Sequence, residues 1–204
     1  MTAPAPEPDA DDQTGVQSDR LAGADETVDA FLGGAVRLIQ PAKGYRAGVD
    51  AVLLAAAGVA VQGLAVRVLD VGAGAGAIGL CVARRVLDAR VVLVEREAPM
   101  VELARRNVTL NALGDRVAVV EADITQRGDP GLVDLGLAAH GFDCVLANPP
   151  YHDAAAGTPA QALRKARAHA MERGSLDAWG RFFARMAAPG GTATLIHRAD
   201  ALGG

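Results

Sequence analysis

Four short stretches of this chain put reactive side chains where strands end. One is Asp70-Val71-Gly72-Ala73-Gly74-Ala75-Gly76-Ala77-Ile78-Gly79. Two are single acids, Glu95 and Asp123. The fourth is Cys144-Val145-Leu146-Ala147-Asn148-Pro149-Pro150-Tyr151, an apolar run that stops at an amide, two prolines and a ring. The apolar part reads as a buried parallel strand, and the prolines end it. Asn148 is thereby expected at the carboxyl end of a strand, the edge at which open α/β sheets bind ligands. An amide, carbonyls released from ladder pairing and an aromatic ring at one rim suit a flat, hydrogen-bonding molecule.

The glycine stretch follows an apolar run and opens a helical one. Its glycines let a backbone approach a ligand closely, and the helix start offers unpaired N–H groups. Gly74-x-Gly76-x-x-Gly79 satisfies the dinucleotide fingerprint, so a nicotinamide cofactor has to be considered. The frame Asp70-x-Gly72-x-Gly74-x-Gly76 adds a carboxylate at the strand tip. A carboxylate there suits a cofactor bearing an ammonium better than one bearing a pyrophosphate, and S-adenosylmethionine carries an ammonium and no phosphate. Glu95 lies 19 residues after Gly76 and ends the next strand. An acid so placed accepts hydrogen bonds from ribose hydroxyls in either cofactor. Asp123, after the third strand, is positioned to accept from an adenine amino group, or else caps nearby backbone.

Asn148-Pro149-Pro150-Tyr151 favours the methyl donor. An amine conjugated to a ring is a poor nucleophile because its lone pair is delocalised. If the Asn148 side-chain oxygen and the Pro149 carbonyl accept its two hydrogens, the nitrogen moves toward sp³ character and its lone pair can face a methyl sulfonium. Tyr151 would stack on the ring, and the prolines stiffen the loop beforehand. No separate base is needed, because the methylated nitrogen becomes acidic and loses its proton afterwards. His140, His152, His169 and His197 have no metal spacing and no partner acid at a telling distance, so they read as surface or structural residues.

These groups require a scaffold of alternating strands and helices. The expected strands are Val66–Val71, Arg90–Val94, Val117–Glu121, Phe142–Ala147 and Thr192–Ile196. The expected helices are Ala77–Leu87, Ala98–Asn111 and Leu176–Ala188, with a loop and a short helix within 122–140. Pro99 suits the first turn of its helix. Repeated βα units predict a parallel, doubly wound α/β sheet with right-handed crossovers. Upstream, Phe31-Leu32, Gly33-Gly34 and Val36–Ile39 predict a β-hairpin within 28–40, and Asp50 is the expected N-cap of a helix over Ala51–Val59. Residues 1–27 are expected to be a disordered acidic tail, and 28–204 a domain that lacks its C-terminal strands.

Composition sets few limits. Residues 1–30 carry eight acids against Arg20 alone, whereas residues 31–204 carry 16 acids against 19 bases. The folded part is mildly basic, which permits a nucleic-acid partner without demanding one. Cys81 and Cys144 sit inside apolar runs and read as buried thiols. No secretory signal or membrane-length apolar run is present, so a cytoplasmic protein is expected.

Taken together, the chain resembles a class I S-adenosylmethionine-dependent methyltransferase of the amino-methylating kind. The segment from Gln40 to Leu54, with Gly44-Tyr45-Arg46 and Asp50, resembles that of the bacterial tRNA1(Val) adenine-37 N6-methyltransferase family, which also carries Asn-Pro-Pro-Tyr. The resemblance covers about residues 28–202. It implies a Rossmann-like sheet, with Asp70, Gly72, Gly74, Gly76, Glu95, Asp123 and Tyr45 around the cofactor. It also implies that Asn148, Pro149, Pro150 and Tyr151 hold the adenine of a tRNA anticodon loop. Arg164, Lys165 and Arg167 would then contact tRNA phosphates beside the active-site mouth, unless they form an ordinary solvated face. The alternatives are methylation of a protein glutamine amide by the same motif, DNA adenine or guanine N2 methylation, an NAD-dependent oxidoreductase, and a domain that binds without turnover.

Overall fold

The structure, a computed structural model, describes residues 22–44, 46–59, 66–124, 137–149 and 178–197. Five strands form a parallel sheet: β3 (Arg67–Val71), β4 (Arg90–Glu95), β5 (Val117–Glu121), β6 (Phe142–Ala147) and β7 (Ala187–Leu195), in the order β5-β4-β3-β6-β7. The order reverses between β3 and β6. This is the topological switch point, where the loops leaving two neighbouring strands part to opposite sides and open a crevice. β1 (Glu26–Phe31) and β2 (Val36–Pro41) form a separate antiparallel hairpin across Gly33 and Gly34. Both turn glycines have positive φ, 65° and 91°, which other residues reach only under strain.

The doubly wound expectation holds, and most element bounds agree within one or two residues. Two bounds differ for a physical reason. β1 starts at Glu26, inside the stretch expected to be a tail, because Arg106 grips the Glu26 carboxylate with both terminal nitrogens at 2.7 and 2.8 Å. That guanidinium, with the Gly23 N–H, holds the Glu26 carboxyl below its ordinary range. The last described helix ends at residue 186, and β7 begins at Ala187, ahead of the expected Thr192. A bulge opposite Phe142 and Cys144 absorbs Pro189-Gly190-Gly191 within the strand's span.

Helices α1 (Val49–Gly58), α2 (Ala77–Arg85) and α3 (Ala98–Leu110) share one face of the sheet with the hairpin. Helix α4, described over 178–186, lies on the other face with Trp179, Phe182, Phe183 and Met186 against Leu69, Val71, Val145 and Ala147. Period-two alternation sorts the strands: Val68, Cys144 and Leu146 face α1, and their neighbours face α4. Each large aliphatic side chain buried here contributes about 2 kcal/mol of transfer free energy. α1 can sit low on β6 because Gly58 has no Cβ to strike Leu146.

The hairpin is attached by amides as well as by packing. Asn107 in the last turn of α3 and Asn111, which caps it, are both buried. Asn107 Oδ1 accepts from the Ile39 N–H at 2.7 Å, and its Nδ2 donates to the Ile39 carbonyl at 2.9 Å. Asn111 does the same with Arg37, at 2.9 and 2.7 Å. Two side-chain amides thus pair with β2 as a neighbouring strand would, and they satisfy backbone groups that burial would otherwise leave orphaned.

Candidate functional site

The glycine loop leaves β3 at Val71 and turns through Gly72, Gly74 and Gly76 at φ of 66°, 55° and 90°. Three left-handed residues in alternation need glycine, since a Cβ there costs about 1–2 kcal/mol each. The Ala73 N–H donates to the Val94 carbonyl at 3.0 Å, and the Gly74 N–H to Glu95 Oε2 at 2.9 Å. Gly79 serves packing: a Cβ there would collide with Leu93 and Val91 on β4. On the other side the loop rests on Trp179, whose indole edge would lie 2.7 Å from a Cβ at Gly72. Around Gly74 there is room, the nearest atom to such a Cβ being the Met100 methyl at 3.8 Å.

Asp70 lies wholly inside the molecule, beneath this loop. Its Oδ2 accepts from the Gly79 N–H at 2.9 Å, and its Oδ1 has no hydrogen-bond partner among the described residues. Burial pushes the carboxyl up to about 7, opposed by the Gly79 N–H and reinforced by the charge of Glu95. Glu95 is also buried, at the tip of β4. Besides Gly74 it accepts from the Arg96 and Glu97 N–H groups at 2.8 and 2.9 Å. Its carboxylate is therefore fixed by three backbone donors, one from the glycine loop and two just before α3. A cleft of about 550 Å³ opens beside it, lined by Arg96, Glu97, Glu121, Ala122 and Asp123 at the carboxyl ends of β4 and β5.

Across the switch point, β6 pairs with β3 so that Ala147 stands opposite Val71. The residue after Ala147 is Asn148, 6% exposed, and Pro149 beside it is buried. Asn148 Nδ2 donates to Asp50 Oδ2 at 2.6 Å, and Asp50 Oδ1 accepts from the Gly48 N–H at 3.0 Å. Asp50 is thus not the N-cap of its helix. Gly48 holds that position, and Asp50 stands in the first turn, where its carboxylate complements the helix dipole and reaches Asn148.

The structure accordingly gathers Asp70, Gly72, Gly74, Gly76, Glu95, Asp123, Asn148 and Pro149 on one rim of the sheet. Tyr45, Pro150, Tyr151, Arg164, Lys165 and Arg167 lie outside the described residues. Among the described residues, no group of three His, Cys, Asp or Glu side chains could hold a metal ion, and no helix is long and apolar enough to cross a membrane. Sequence reasoning missed the roles of Asp50, Asn107 and Trp179. Asn107 and Asn111 left a readable sign, two amides at i, i+4 on an apolar helix face. Trp179 left only its rarity.

The methyltransferase small domain family matches residues 51–178 of this chain. The tRNA1(Val) (adenine(37)-N6)-methyltransferase of Bacteroides thetaiotaomicron is 35% identical over 123 residues, covering 60% of this chain and 47% of the relative. The protein of the same name from Aeromonas hydrophila is 33% identical over 156 residues, covering 74% of this chain and 58% of the relative. The chain thus spans about half the length of the curated relatives it matches. Among solved structures, a predicted O-methyltransferase from Agrobacterium tumefaciens, Atu636, superposes with a TM-score of 0.56 at 34% identity, covering 74% of this chain and 62% of that one. The matched span takes in both the glycine loop after β3 and the Asn148 end of β6, and by that match this chain belongs to the methyltransferase small domain family.

Proposed function

We propose that this chain transfers a methyl group from S-adenosylmethionine to the N6 amine of an adenine in tRNA, at anticodon-loop position 37. The observation that carries the reading is the pairing of Val71 with Ala147, which sets the glycine loop and Asn148 side by side at one rim. The named activity of the tRNA-modifying relatives supplies the acceptor.

The residues fit a nucleoside cofactor with a cationic tail. Three features support this: space at Gly74, an Asp70 Oδ1 that has no partner among the described residues, and a cleft between the ends of β4 and β5. Gly72, Gly74 and Gly76 would give it backbone contact, Glu95 would meet the ribose hydroxyls, Asp123 would accept from adenine, and Tyr45 would cover it. When bound, the cofactor supplies an electrophilic methyl group on a sulfonium.

Everything else is work for this chain's own groups. Asn148 Oδ1 and the Pro149 carbonyl accept the two hydrogens of the target amine and draw its lone pair out of conjugation. Tyr151 would stack on the base, and Pro150 would limit the freedom of the chain that carries it. An adenine in a single-stranded loop is already unpaired, so presenting it costs less than flipping it out of a duplex. Arg164, Lys165 and Arg167 would hold phosphates of the same RNA. This function locates the protein in the cytoplasm with its tRNA.

Incubation with methyl-labelled cofactor and separate tRNA, DNA and protein fractions tests the reading. Label recovered as N6-methyladenosine from tRNA supports it. Label recovered only as methylglutamine, or only in DNA, overturns it.

A further inference from the structure

We propose that Asp50 is a positioning residue that locks Asn148 as a hydrogen-bond acceptor, so that the site admits an amine and rejects an oxo group. The proposal rests on the amine-methylation reading above.

A side-chain amide has two faces of opposite character, an NH₂ that donates and an oxygen that accepts. Turned one way, Asn148 recognises an amine. Turned the other way, it recognises a carbonyl, such as the O6 of hypoxanthine. A carboxylate can only accept, so Asp50 Oδ2 at 2.6 Å compels Asn148 to present its NH₂ there and its oxygen away from Asp50. The bond is charge-assisted, which makes it strong and polarises the amide so that its oxygen becomes a better acceptor.

The lock is itself held. Asp50 Oδ1 accepts from the Gly48 N–H at 3.0 Å, which fixes the carboxylate plane. α1 carries Asp50 to this position because Gly58 lets the helix approach Leu146, two residues before Asn148. The loop leading into α1 is tied as well: Gln40 accepts from the Ala47 N–H at 2.7 Å, and Arg46 pairs with Asp29 at 2.6 Å. Neither end of the pair is left to drift.

This arrangement gives Asp50→Asn an unusual expected effect. Asn at position 50 has one oxygen where aspartate has two. If that oxygen keeps the Gly48 N–H, the new NH₂ faces Asn148, which must then turn its own oxygen toward it. Asn148 would invert and present its NH₂ to the substrate. An almost isosteric change thereby reverses the polarity of the site.

The test uses the whole chain and two readouts. In ¹⁵N–¹H spectra the Asn148 side-chain amide, assigned by its loss in Asn148→Ala, should be shifted strongly downfield in the wild type and lose that shift in Asp50→Asn. Binding is then measured with two RNA stem-loops that carry adenine or hypoxanthine at the target position. The wild type should prefer adenine, and Asp50→Asn should lose roughly 10-fold of that preference or reverse it. On adenine RNA, kcat should fall roughly 10- to 100-fold with KM and the Kd for S-adenosylhomocysteine within about threefold. Asp50→Ala, which cannot invert the amide, should lose the shift and part of kcat without gaining hypoxanthine binding. An amide resonance that depends on Asp50 in a chain that methylates no RNA would uphold the lock and overturn the tRNA reading alone. An amide resonance and base preference unchanged in Asp50→Asn would overturn the lock.

Discussion

Asn107 Nδ2 donates to the Ala75 carbonyl at 3.0 Å while the same amide pairs with Ile39 on β2. One buried side chain on α3 therefore holds the hairpin and the glycine loop at once. The loop is braced from four directions: by Asn107, by Glu95 at Gly74, by Val94 at Ala73 and by Trp179 at Gly72. Bracing of this kind keeps a ligand loop in its binding shape before the ligand arrives, so little ordering cost remains at binding.

Asn107→Ala should lower stability by roughly 2–4 kcal/mol, because it leaves the Ile39 N–H and two carbonyls buried without their partner. Urea denaturation measures this. Asn107→Asp should be no better, since its oxygens would face two carbonyl acceptors. A midpoint unchanged in both variants would refute the bracing role.

Asn148→Ala should reduce methyl transfer at least 100-fold and leave the calorimetric Kd for S-adenosylhomocysteine within about threefold. Near-normal turnover would show that the amine is activated some other way.

Gly72→Ala adds a left-handed alanine and a methyl group 2.7 Å from the Trp179 indole, for a combined cost of roughly 2–4 kcal/mol. Trp179 is the chain's one tryptophan, so intrinsic fluorescence reports on this contact. Saturation with S-adenosylhomocysteine should change the wild-type emission. Calorimetric saturation with no optical change would show that ligand binding does not reach Trp179 through the glycine loop.

Asp70 makes stability depend on pH in a direction opposite to an ion-paired acid. Its carboxyl sits at about 7 in the folded protein against 3.8 when exposed. Between those values the folded state binds more protons, so stability falls as pH rises through that window and the full cost is present above it. Asp70→Asn removes the cost. Its stability relative to the wild type should rise between pH 5 and pH 8, by roughly 2–3 kcal/mol. Denaturation curves for both proteins at the two pH values decide the sign, and a fall would overturn the assignment.

The sheet was legible because its strands are unbroken apolar runs and its helices carry a clear period. The rim was legible because Asp70, Glu95 and Asn148 each put a polar group at or beside the end of such a run. Glu95 illustrates how far that reasoning reaches. Its position at the strand tip was readable, and two of the N–H groups it gathers, those of Arg96 and Glu97, are local, but the third, from Gly74, depends on how the loop folds back over β4. The Asp50–Asn148 bond spans 98 residues, and no local pattern announces it. Locally, Asp50 looks like a cap, since aspartate before an apolar helical run usually is one. Only the tertiary approach of α1 to β6 turns the side chain to another use.

The pairing of Val71 with Ala147 is also a statement about tolerated change. Two loops leaving adjacent parallel strands are separated by one strand spacing, about 4.8 Å, whatever the surrounding helices do. Insertions in the connecting segments leave that distance alone. A single residue added to or deleted from β3 or β6 shifts one tip by about 3.3 Å and turns its side chains to the opposite face. The fold can therefore accept longer, shorter or exchanged connections and keep the two tips side by side, whereas a one-residue slip in either strand takes the glycine loop and Asn148 out of register.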